Sequence, residues 1–178
     1  MTLYYLHYVE EKEYEPYGVT YAPDDTDLFI FPPSGEFVAE WSCLKFTLKE
    51  GDFADYLTND LGVRLCSEKL RKIIEGMLST EDRIQFLESI VINDQNEVRV
   101  YSILHFPVNF QIINKDKSIM AGPDVVVKPV LKKDAITHLN IFTLPNEDGR
   151  TTFVSKSLKE AIEANHCSGL TFSKVSVI

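Results

Sequence analysis

Residues 65–75 read LCSEKLRKIIE, and residues 153–163 read FVSKSLKEAIE. Each phrase sets a short apolar run before a serine and then spaces apolar residues at the helical period. In the first, Ser67 can cap a helix whose apolar positions Leu70, Ile73, Ile74 and Met77 follow i, i+3, i+4, i+7. In the second, Ser155 or Ser157 can cap a helix with Leu158, Ala161 and Ile162 inward, and Ser157 with Glu160 would form a capping box. After connectors of nine and seven residues, QFLESIVI (85–92) matches TFSKVSVI (171–178), which aligns Phe86 with Phe172, Val91 with Val177 and Ile92 with Ile178. The shared pattern is strand, capped helix, connector, strand, and it defines two units, 63–92 and 151–178. Neither unit can bury its apolar face alone, so both are expected to lean on the sheet between them. Their shared positions are cap and core positions and carry no chemistry.

The remaining chain reads mostly as strands. Residues 2–9, 28–31, 38–48, 110–113, 125–131 and 139–144 are strand candidates, separated by turn clusters such as PPSG (32–35), AGPD (121–124) and PNEDGR (145–150). EVRVYSILHF (97–106) is the clearest strand and should form a hairpin with 85–92 across the polar turn NDQN (93–96). The expected architecture is α+β: a single compact domain over 1–178, with a mostly antiparallel or mixed sheet and the two pseudo-repeated strand–helix–strand units packed on it.

Charge divides the chain unevenly. Residues 1–60 hold thirteen Asp/Glu against three Lys, and residues 61–178 hold fourteen against fifteen Lys/Arg, for a net charge of −9. An acidic first third disfavours direct nucleic-acid binding, which needs a Lys/Arg-rich surface. It suits a basic partner, because a single-sign field raises association rates. The longest apolar runs are too short to span a membrane, and the N-terminus lacks the basic start of a secretion signal. Three cysteines with no CxxC spacing fit reduced thiols in a cytoplasmic protein.

Motifs that carry chemistry are missing. The four histidines (7, 105, 138, 166) show no metal-ligand spacing, and Asp24-Asp25-Thr26-Asp27 lacks the glycine and distal glutamate of a calcium loop. No GxGxxG, GxxxxGK[ST] or GxSxG occurs. His166-Cys167 is no dyad, since neighbours at a helix end point in different directions. The expectation is a binding protein with no catalytic residues, no metal and no cofactor.

The runs DYLTNDLGVRLCSEKLRKIIE (55–75), QFLESIVI, VRVYSILHF (98–106), LNIFTL (139–144) and FVSKSLKEAIEANHCSGLTFSKV (153–175) together resemble a bacterial immunity-protein family of polymorphic toxin systems. That family was first catalogued as a domain of unknown function, and its members carry two "VS-E-LK" helices and a "TGL-F" segment close to the C-terminus. The resemblance implies a cytoplasmic antidote that binds the C-terminal domain of a cognate toxin or effector. It carries over no functional residue. The partner-binding candidates come instead from composition: Glu10, Glu11, Glu13, Glu15, Asp24, Asp25 and Asp27, interleaved with Tyr14, Tyr17 and Tyr21. Ordinary packing is the other reading of those tyrosines. A small-ligand-binding protein or an enzyme with a dispersed site, its pocket lined by His105, Asp116 or Asp134, stands as the alternative, with a structural module that has no toxin partner as a third.

Overall fold

The computed structural model describes residues 2–8, 17–26, 34–122, 125–145 and 151–178. Both repeated phrases fold as expected. The first is β5 (Leu65–Ser67), α1 (Glu68–Met77) and β6 (Gln85–Ile92); the second is β11 (Phe153–Ser155), α3 (Lys156–Ala164) and β12 (Leu170–Val175). The hairpin partner of β6 is β7 (Val98–His105), and Asn96 takes a positive φ of 60° in the turn. The other strands are β1 (Leu3–Tyr8), β2 (Gly18–Tyr21), β3 (Leu44–Gly51), β4 (Tyr56–Asn59), β8 (Ile119–Met120), β9 (Val126–Lys128) and β10 (Ile141–Phe142), with a short α2 (Lys133–Ile136).

Each helix is started by its serine. Ser67 Oγ accepts from Leu70 N at 3.1 Å and Ser155 Oγ from Leu158 N at 3.2 Å, with nearly identical backbone angles at the two caps. Ser157 is therefore not the cap: its hydroxyl lies 2.9 Å from that of Ser155, and Glu160 pairs with Lys156 instead of closing a capping box.

The units do not lean on an intervening sheet. Each one builds its own. Both have two strands flanking a third that runs antiparallel to each, and a fourth strand on the outside. The orders are β4-β5-β7-β6 and β10-β11-β1-β12. Registers coincide as well. Ser67 and Ser89 both stand opposite Tyr101, while Ser155 and Val175 both stand opposite Leu3. Phe86 faces Leu104 as Phe172 faces Leu6. The central strands thus correspond, and Leu104-His105-Phe106 aligns with Leu6-His7-Tyr8. In the first unit the central strand follows in sequence; in the second it is supplied by the far end of the chain.

The units brace one another in the same reciprocal way. Asp55, just before β4, accepts from the cap hydroxyl of Ser67 at 2.6 Å and from Ser168 N, beyond α3, at 2.9 Å. Asn140, just before β10, accepts from the cap hydroxyl of Ser155 at 2.7 Å and donates to Met77 O, at the end of α1, at 2.8 Å. Buried Asp82, in the connector after α1, takes Asn140 N and Ile141 N. A further tie is buried Arg64, which donates to Thr152 Oγ1, Thr143 Oγ1 and Thr151 O and lies 4.8 Å from the Phe106 ring centre.

Between the units lies one shared core. Leu70 and Ile74 of α1 meet Leu158 and Ile162 of α3, together with the sheet residues Cys66, Leu104, Val154 and Leu6. The opposite faces are covered differently. In the first unit, β2 and β3 extend the sheet until it closes as a barrel, in the order β2-β3-β6-β7-β5-β4 around Phe46, Leu57, Leu65, Leu87, Val91, Tyr101 and Ile103. The second unit packs Leu3, Phe142, Phe153 and Val175 under the chain around Ile112, Leu131, Ile136 and Leu139.

Other sequence-based strand assignments shift or fall away. Of 38–48 only the part from Leu44 is strand; upstream, Gln85 holds Val38 by paired amide bonds of 2.9 and 3.0 Å. Residues 110–113 give only an isolated bridge from Ile113 to Leu131. The candidate strand 28–31 lies outside the described residues.

One interior position departs from its counterpart. Ser89 is fully buried in the barrel, its hydroxyl has no hydrogen-bond partner among the described residues, and the equivalent residue in the second unit is Val175. An unpaired buried hydroxyl costs about 1–3 kcal/mol of desolvation. Ser89→Ala is expected to raise stability by about 1 kcal/mol, a Tm gain of about 2–4 °C for a chain of this length. A lower Tm would show that the hydroxyl is hydrogen-bonded in solution.

Candidate partner interface

Among the ten partner-binding candidates, Glu10, Glu11, Glu13, Tyr14, Glu15 and Asp27 lie outside the described residues. Tyr17 is 5% exposed, held inside the fold just ahead of β2, which is the packing reading of the tyrosines, and its carbonyl accepts from Asp52 N at 2.8 Å. A tyrosine ring buries as readily as it binds, and here packing takes it. Tyr21 is 43% exposed at the end of β2. Asp24 and Asp25 are exposed in the following turn, which is closed by Thr26 N on Pro23 O at 2.9 Å.

Tyr21 leads onto a surface that residue types alone did not reveal. Paired residues on neighbouring strands point to the same side of a sheet. Tyr21 stands opposite Thr47, Thr47 beside Ile92, and Ile92 opposite Val98. A second row runs Lys45, Ile90, Val100. Phe46, Leu87, Val91 and Tyr101 fill the barrel, so both rows face outward. Helix α1 covers only the other part of this wall, where Cys66 and Leu104 point out, and Arg71 marks its border by reaching Ser102 Oγ and stacking over Phe86. Beyond that border Val98 is 53% and Val100 49% exposed. The sequence signal was present: apolar residues occupy both parities of QFLESIVI, and VRV places two valines on the outward one.

Of the groups with catalytic potential, His105, His7 and Cys167 are engaged within the fold, whereas His138 is exposed and lines one of the depressions described below. His105 is buried and donates from Nε2 to Glu36 O at 2.6 Å; burial keeps its pKa below the ordinary histidine value, so the ring is neutral at pH 7. His7, its counterpart, lies 2.7 Å from Ser173 Oγ. Burial pushes the Cys167 thiol up to about 11, with Asp55 adding to the shift, so it is not a thiolate near neutrality. His166 sits at φ 50° in the turn that ends α3. Among the described residues no group of three or more His, Cys, Asp or Glu could hold a metal ion. An open depression of about 340 Å³ at one barrel end is lined by Lys49, Asp52, Asp94, Glu97 and Arg99 among others, and one of about 570 Å³ by residues 137–140 and 155–157 among others. Neither contains His105, Asp116 or Asp134. No helix among the described residues is long and apolar enough to cross a membrane.

A family model described as Immunity protein family (Imm11) matches residues 7–177. No curated protein matches the chain.

Proposed function

The chain belongs to the Imm11 immunity protein family, and from that membership we propose that it binds and neutralises a cognate toxin or effector domain by direct protein–protein contact, without catalysis. The observation that carries this reading is the family match over nearly the whole chain. Net charge supports a partner with a basic surface, because thirteen of the carboxylates fall within the first sixty residues. In this reading the protein works in the cytoplasm of the producing cell. Glu10, Glu11, Glu13, Tyr14, Glu15, Tyr21, Asp24, Asp25 and Asp27 supply or steer the contact.

The decisive experiment co-expresses this chain with the toxin domain encoded beside it and scores growth. Rescue by the wild-type chain is expected; growth arrest that it leaves unchanged would defeat the reading. In a binding measurement with the same toxin domain, Glu11→Lys, Glu13→Lys and Glu15→Lys together are expected to slow association by about tenfold or more and to flatten its dependence on salt. Unchanged association kinetics would remove the N-terminal carboxylates from the encounter.

A further inference from the structure

We propose that the toxin docks on the part of the barrel's outer wall that α1 leaves uncovered, centred on half-exposed Val98 and Val100 with partly exposed Ile90 and Ile92 and extended by Tyr21; this rests on the neutralising function proposed above. Strand pairing makes the four aliphatic residues one block, since Ile90 faces Val100 and Ile92 faces Val98 directly. Folding does not need them there. The barrel interior is filled from the other side of the same strands, and α1 stops short of this part of the wall. Four β-branched side chains with two valines half exposed form an apolar centre, and Tyr21 adds an aromatic of the kind that dominates binding energy.

The rim identifies the occupant. Glu88 precedes Ile90 on the outward side of β6, Asp94 and Glu97 stand at the β6–β7 turn, and Asp24 and Asp25 follow Tyr21. The basic groups here are Lys45 and Lys49 on β3 and Arg71 at the α1 border, which Glu75 holds at 2.9 Å; Glu97 and Arg99 pair with each other at 2.7 Å at the barrel mouth, so Glu88, Asp94, Asp24 and Asp25 remain in excess. An apolar centre in an acidic rim fits a protein domain that presents an apolar patch ringed by Lys and Arg. The same rim repels nucleic-acid phosphates and anionic lipid headgroups. The wall is also a sheet face rather than a cavity, which suits a protein more than a small molecule. Four strands at about 4.8 Å spacing give a row only about 14 Å wide. That is smaller than the roughly 800 Å² each partner contributes to a stable complex, so the acidic rim must be in contact too.

The test titrates the toxin domain encoded beside this chain with the full-length protein. Val98→Lys with Val100→Lys places two cations in the centre of the face without touching the core. This pair is expected to weaken binding at least ~100-fold and abolish growth rescue, and Tyr21→Ala to weaken binding at least ~10-fold, each with an unchanged Tm. Ile119→Lys with Val127→Lys, on the exposed β8–β9 ribbon, is expected to bind as the wild type does. If the Val98/Val100 pair binds and protects normally, the proposed face is wrong while the neutralising function stands. If the wild-type chain neither binds nor protects, both fail. A homodimer in solution that the Val98/Val100 pair dissolves would overturn the proposal in favour of a second copy as the occupant.

Discussion

Gly169→Ala is expected to cost at least ~3 kcal/mol and to lower the Tm by about 6–12 °C. Gly169 follows the α3 connector with φ 78°, a left-handed conformation that costs an L-residue about 1–2 kcal/mol. Space is the larger objection. A Cβ built on Gly169 falls inside contact distance of the Tyr56 carbonyl oxygen and close to Ala54 Cβ, and the first of these is backbone that cannot swing away. The two chains are pinned there, because Ser168 O accepts from Tyr56 N at 3.1 Å and Ser168 N donates to Asp55. Relief would require separating the two units. Thermal unfolding of the variant decides the point, and a loss below about 1 kcal/mol would mean that the connector shifts freely. Gly169 thereby has a physical reason: it lets one unit's connector touch β4 of the other unit.

Leu70→Ala and Leu158→Ala are each expected to cost about 3–4 kcal/mol, within about 1 kcal/mol of one another. Both side chains are fully buried in the core shared by the helices, at equivalent helical positions three residues after the capping serine. Truncating a buried leucine removes its transfer energy and leaves a cavity, for a total of about 2–5 kcal/mol. The surroundings of the two leucines match pair by pair: Ile74 with Ile162, Cys66 with Val154, Leu104 with Leu6. Chemical denaturation measures both losses. A severe loss at one leucine and a slight one at the other would contradict the equivalence of the two units. A loss of this size is a large part of the roughly 5–15 kcal/mol that holds a domain together.

The helices, their caps and the β6–β7 hairpin were legible because each is written in one short continuous stretch, the longest being the hairpin from Gln85 to His105. Ser67, Leu70 and Ile74 announce themselves by spacing alone. Pairing partners are another matter. Nothing local in Leu3–Tyr8 says that this strand will lie between β11 and β12, although Leu6-His7-Tyr8 and Leu104-His105-Phe106 were a visible hint that the repeat had a third strand. β4 carries little strand signal of its own, because Tyr56–Asn59 is only four residues long and gains strand character from its neighbours. The acidity of the first third was readable from composition. Its packing was not, as Tyr17 and Tyr21 demonstrate: two tyrosines four positions apart, one sealed in the fold and one on its surface. The wall of Ile90, Ile92, Val98 and Val100 stayed hidden for a related reason. Finding it requires the strand registers, the knowledge of which side is interior, and the point at which α1 ceases to cover the sheet.

The first unit is contiguous from Asp55 to Phe106, whereas the second needs Leu3 to sit between Ser155 and Val175. During synthesis at about 5–20 residues per second, β1 therefore waits roughly 7–30 s for the strands that flank it. Until then its aromatic run LYYLHY has no sheet to join, while the barrel half can already close around its own residues. The protein is thus made in an order that leaves its two similar halves with opposite histories. One half assembles as it emerges, and the other is completed only when the last strand reaches the first.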